Sequence, residues 1–93
     1  MSTRDRVGQL LRALRRSAAE AGCTVAVSHS TTTAWASATF VGAQHRVFVR
    51  GNAWTWLADL PAAELPLHGC FVASCDVESA IGGAVLTMLI LEE

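Results

Sequence analysis

The sequence predicts an α+β domain: a long N-terminal helix packed on one face of an antiparallel sheet of about five strands, in the order α-β-β-β-α-β-β. Three observations predict it. Apolar residues recur at helical spacing between residues 3 and 21. Segments 23–50 and 68–91 instead follow period two, and Gly51, Asn52, Pro61 and Pro66 break the pattern between them, where a short connecting helix fits. Ninety-three residues allow a single domain, 1–93. A chain this short buries little more than about 60% of its unfolded surface.

In the first segment, Val7, Leu10, Leu11, Leu14, Ala18 and Ala21 form the apolar stripe of an amphipathic helix, and Gly22 is placed to end it in a left-handed cap. Arg12, Arg15 and Arg16 fall away from the stripe. They present a positive face, a candidate surface for phosphate or carboxylate groups.

From Cys23 to Arg50 the chain is rich in Val, Thr, Phe and Trp. Val25 and Val27 read as a short first strand, and Ser28-His29-Ser30-Thr31-Thr32-Thr33 as a polar connection to the next. His29 among hydroxyls lacks the spaced acid or glycine-framed turn of a nucleophilic site. Gly42-Ala43 offers a tight hairpin turn, which pairs Ala36, Ala38 and Phe40 with Val49, Val47 and His45 on a core face. The other face then pairs Trp35, Ser37 and Thr39 with Arg50, Phe48 and Arg46, and sets Trp35 beside Arg50 for a cation–π contact. Aromatic and arginine side chains dominate binding hot spots, so Trp35, Arg46, Phe48 and Arg50 are the first candidates for partner recognition. Arg12, Arg15 and Arg16 are the second.

Asn52 is positioned to cap a short helix through Trp54, Trp56, Leu57 and Leu60. The two tryptophans stand roughly 200° apart on such a helix, so Trp56 joins the packing and Trp54 moves to the rim. A second hairpin follows, His68 to Ser79 and Ala84 to Leu91, turning at Gly82-Gly83. That turn places Phe71, Cys75, Val77 and Ile81 with Leu86, Met88 and Ile90 on a core face, and the acids Asp76 and Glu78 opposite, beside Thr87 and Leu89. Helix-then-hairpin thus occurs twice in outline, without an internal sequence repeat.

Charge is sorted along the chain. Residues 1–50 hold seven arginines against Asp5 and Glu20, net +5, and residues 51–93 hold six carboxylates and no Lys or Arg, which leaves −1 in total. Such halves can meet within one chain, between two copies or on a charged partner. The apolar share is 52% and the charged share 16%, against roughly 25% charged in ordinary soluble domains. That surplus predicts burial against a second molecule, most simply a homodimer. No signal-peptide pattern opens the sequence, and the apolar run from Ala84 to Leu91 is far short of the roughly 20 residues a bilayer demands. Three cysteines, an odd number, suit reduced thiols in a cytoplasm, with no membrane contact.

The candidates for chemistry are weak. His68 and Cys70 share a face in an extended strand while Cys75 points to the other, so no metal site is expected, and no sequence feature calls for a cofactor. Asp76 and Glu78 lack the cationic partners and polar cleft of a catalytic pair. The opening αβββα order is similar to that of double-stranded-RNA-binding domains. That resemblance implies basic residues at the start of the second helix, and residues 51–68 contain no Lys or Arg. The full order resembles small dimeric secretion chaperones, which bind extended client segments; element order alone does not carry function. The expectation is a non-enzymatic, cytoplasmic protein-binding domain, of adaptor, inhibitor or chaperone-like kind, acting as a homodimer. The alternative is a nucleic-acid-binding protein using the N-terminal arginine face.

Overall fold

The computed structural model describes residues 3–51, 53–63 and 65–93, the side chains of residues 3–5 excepted. Its elements are α1 (Thr3–Glu20), β1 (Ala26–Ala36), β2 (Val41–Arg50), α2 (Trp54–Asp59), a 3₁₀ turn (Leu60–Ala62), β3 (Cys70–Ala80) and β4 (Gly83–Glu92). The four strands form one sheet in the order β1-β2-β4-β3, with every neighbouring pair antiparallel. The fold class is therefore α+β with an antiparallel sheet and an N-terminal helix, but with four strands rather than five.

The missing strand has a physical reason. Residues Ser28 to Thr33 continue β1 instead of interrupting it. β1 is an edge strand exposed along nearly all its length, so it needs no apolar alternation, and threonine is a good strand former. A bulge between Val27 and His29 shifts the register there, and a matching one between Val72 and Ser74 shifts the other edge strand, β3. Bulges on edge strands twist them away from unwanted pairing.

Both hairpins turn away from where the glycines suggested. β1 and β2 close with Ala36 opposite Val41, leaving Ser37 to Phe40 as the turn. The Ser37 N–H donates to the Phe40 carbonyl at 2.8 Å, and the Ser37 Oγ accepts from the N–H groups of Thr39 and Phe40 at 3.3 and 3.0 Å. Serine supplies the turn chemistry, so Gly42 is free for another use. The β3–β4 turn uses Ile81 and Gly82, with Gly82 at φ +80° and Ile81 fully exposed at the tip. Gly83 lies within β4.

Gly42 and Gly83 occupy opposite ends of the central β2–β4 ladder, paired with Leu91 and Arg50. A Cβ at Gly42 would sit 2.1 Å from the Ile90 carbonyl oxygen, and one at Gly83 would sit 2.0 Å from that of Val49. Each glycine thus permits the backbone of the neighbouring strand to approach where a side chain would stand. The two helix-hairpin halves meet through these corresponding strands.

One core lies between the helices and one sheet face. Leu10, Leu14 and Ala18 of α1 are buried in a cluster with Val47 and Val49 of β2, Ala84, Leu86, Met88 and Ile90 of β4, and Trp56, Leu57 and Leu60. α1 ends in a Schellman motif: the Cys23 N–H donates to the Ala18 carbonyl at 2.8 Å and the Gly22 N–H to Ala19 at 3.0 Å, with Gly22 at φ +78°. The buried indole of Trp56 donates to Ser17 Oγ at 2.9 Å and ties α2 to α1, while Trp54 stays on the rim. The expected Asn52 cap lies outside the described residues; the N-cap position of α2 is Ala53, which makes no side-chain cap bond.

Gly42→Ala and Gly83→Ala each force the central strands apart, and each is expected to lower the free energy of unfolding by about 3 kcal/mol. Urea denaturation of the two variants checks this; wild-type midpoints would show that the strands separate without cost.

Candidate interaction surface

The helices cover one face of the sheet, and no described element covers the other. Because opposed residues of antiparallel strands point the same way, the pairings define that open face row by row. Trp35, Gly42, Leu91 and Phe71 make one row, and Thr33, Gln44, Leu89 and Ser74 the next. Thr31, Arg46, Thr87 and Asp76 follow, then His29, Phe48, Val85 and Glu78, and last the β2 residue Arg50 with Gly83 and Ala80.

Trp35, Arg46, Phe48 and Arg50 therefore share this face, as expected, but in a different arrangement. Trp35 stands opposite Gly42, at the far end of β2 from Arg50, so the anticipated Trp35–Arg50 contact does not exist. The serine turn at residues 37–40 displaces the register from the one a Gly42-Ala43 turn would impose. Phe40 and Val47, expected together on the core face, are also separated: Val47 is buried, whereas Phe40 lies in the turn and is 41% exposed.

Three features of the face were not read from the residues alone. Period two places Phe71 in the core, but the bulge before Ser74 turns it outward, where its ring meets that of Phe40 edge-on at 6.0 Å. Leu91 is only 6% exposed although no helix covers it, consistent with this aromatic pair beside it. His29 joins Arg46, Phe48 and Val85 around a shallow depression of about 310 Å³. The only sequence signal for it was that a run of serines and threonines also suits an edge strand.

Charge on the open face is divided. Arg46 and Arg50 stand on β2 with His29 beside them on β1, and Asp76 and Glu78 stand on β3. β4 separates the two sets with the uncharged Val85, Thr87 and Leu89. Arg46 and Asp76 in one row are two strands apart, about 10 Å. The one ion pair among the described residues lies elsewhere, between Arg6 Nη2 and Glu92 Oε1 at 2.8 Å.

That pair borders a cleft of about 240 Å³ on the helix side, which His45, Val41 and Ile90 also line. His45 is 2% exposed, and its Nδ1 is 3.0 Å from Thr32 Oγ1. Burial lowers its pKa from the ordinary 6.5, so the ring is held neutral. Arg12, Arg15 and Arg16 are exposed on α1, across the sheet from Arg46 and Arg50, so the two arginine sets do not converge.

The cysteines form no site together. Cys70 is buried and Cys75 half-buried, and burial, assisted by the Asp76 carboxylate, raises the Cys75 thiol above its usual range. Among the described residues no group of His, Cys, Asp and Glu is arranged to hold a metal, and no helix is long and apolar enough to cross a membrane. No known protein family, curated protein or solved structure matches the chain. What the geometry defines is a class: a two-layer α+β domain that presents a bare, charge-divided sheet face.

Two titrations test this account. The unfolded chain takes up a proton on His45 at higher pH than the folded one does, so the His45 contribution to stability is full above about pH 6.5 and is lost as pH falls below it. Melting curves from pH 8 to 5 should show that decline, and His45→Gln should flatten it; an unchanged slope would mean that the ring titrates freely. Iodoacetamide at neutral pH should modify Cys75 more slowly than a free thiol. Rapid labelling would contradict the raised pKa.

Proposed function

We propose that this chain is a non-enzymatic protein-binding module whose working surface is the open sheet face. The observation that supports this reading is the uncovered face itself. Partly exposed Trp35 and Phe71, half-buried Phe48, Val85 and Leu89, and two separated charge sets occupy a flat surface that solvent alone would not favour. Arginine and aromatic anchors beside an aliphatic centre match the composition of protein interfaces. A reduced, intracellular setting remains part of the proposal, on the strength of the odd cysteine count and the half-buried or buried thiols.

Nucleic-acid binding is the second reading, favoured by the exposure of Arg12, Arg15 and Arg16 on one helix. Against it, Arg46 and Arg50 lie on the opposite side of the sheet and cannot extend the same phosphate track. The net charge of −1 adds no long-range attraction.

The two readings separate with two variants. Trp35→Ala combined with Phe48→Ala should preserve the circular-dichroism spectrum while weakening protein association at least 30-fold, about 2 kcal/mol, measured by sedimentation or by retention on immobilised chain. Arg12→Ala, Arg15→Ala and Arg16→Ala together should leave that association unchanged. The opposite pattern, with salt-sensitive binding to a duplex lost in the triple variant, would favour nucleic acid.

A further inference from the structure

From the division of charge on the open face, we infer that its occupant is a second copy of this chain, related by a two-fold axis that runs parallel to the strands between β2 and β4. This rests on the reading that the open face is a protein-binding surface, and names the partner.

A two-fold axis that brings one face onto itself lies in the plane of the interface, and it can run along the strands or across them. An axis along the strands preserves each row and exchanges the two sides of the sheet: β2 lies over β4 of the other copy, and β1 over β3. Trp35 then covers Phe71 of the second copy, and His29 faces its Glu78. Arg46 lies over Thr87 of the second copy, one strand spacing of about 4.8 Å from the row neighbour Asp76. The same contacts recur across the axis. An axis across the strands instead lays β2 over β2 and β3 over β3, so that bases approach bases and acids approach acids. The charge pattern therefore selects the strand-parallel axis.

The size of the face agrees. Four strands about 4.8 Å apart and about ten residues long present roughly 650 Å², near the roughly 800 Å² per partner of a standard interface. Sheets packed face to face stand about 10 Å apart with strands nearly aligned, which is the arrangement the strand-parallel axis produces.

The test is the solution mass of the full chain by light scattering. The wild type should have twice the chain mass of 9.9 kDa. Arg46→Glu with Arg50→Glu should fall to the single-chain mass, as should Asp76→Arg with Glu78→Arg, because each makes the face one sign. Mixing the two variants should restore the doubled mass, which also proves that both are folded. A doubled mass that survives both reversals would put the interface elsewhere and overturn the inference. So would a wild type that stays monomeric at high concentration. If that monomer nevertheless loses a different bound protein when Trp35 and Phe48 become Ala, the protein-binding reading stands and only self-association falls. If Trp35→Ala with Phe48→Ala changes neither mass nor bound protein, both fall.

Discussion

The close approach of β2 and β4 is the constraint on which the rest of the molecule depends. Each half of the chain contributes a helix and a hairpin, and neither hairpin alone would be stable in water. The halves become one sheet only where their second strands pair, and Gly42 and Gly83 stand at the two ends of that ladder. Its inward residues, Val47 and Val49 from one half and Leu86, Met88 and Ile90 from the other, are the floor on which Leu10, Leu14 and Leu57 pack. Core and sheet therefore form together. The contacts that hold the halves are far apart in sequence, and such long-range pairing is the slow step expected in folding.

Two helices, one of 18 residues and one of 6, cannot cover both sides of a four-stranded sheet. α1 and α2 occupy one side, tied together through Trp56 and Ser17, and this leaves the other to whatever the strand residues themselves provide. At one end they provide cover: Phe40 and Phe71 meet edge-on beside the buried Leu91. Toward the other end Phe48 and Val85 have only their row neighbours. β1 marks the limit of this economy, since it pairs on one edge alone and is exposed along nearly its whole length.

Much of this was legible in the sequence where one physical signal acted alone. The spacing of Leu10, Leu14 and Ala18 and the glycine after them gave the helix and its end, and the separation of Trp54 from Trp56 on a helical wheel gave rim and core. The alternation in Arg46, Phe48 and Arg50 placed those three on one face. Legibility failed where a residue had two physical uses. Glycine suits turns, which points to Gly42, but glycine also suits the close approach of two backbones, and Ser37 makes the turn instead. Period two cannot reveal a bulge, so strict alternation puts Phe71 on the wrong side. Ser28 to Thr33 read as a connection because an edge strand exposed on both faces carries no hydrophobic alternation.

The two electrostatic settings of the molecule differ in kind. Arg6 and Glu92 join the first helix to the last strand at 2.8 Å, so part of the opposition between a basic first half and an acidic second half is resolved within the chain. On the open face it is not. Arg46 and Arg50 flank Phe48 on one strand, about 13 Å apart along it, Asp76 and Glu78 are next neighbours on one face of another, about 7 Å apart, and Arg46 and Asp76 in one row lie about 10 Å apart. An acid at Thr87 on β4, directly opposite Arg46, would give a cross-strand pair within the isolated sheet, whereas Gly83, opposite Arg50, leaves no room for a side chain. In the proposed two-fold arrangement β2 lies over β4, so the acids of a second copy come within one strand spacing of Arg46, and its His29 faces Glu78. The uncharged Val85, Thr87 and Leu89 of β4 are the spacer that keeps the two sets from pairing within one face.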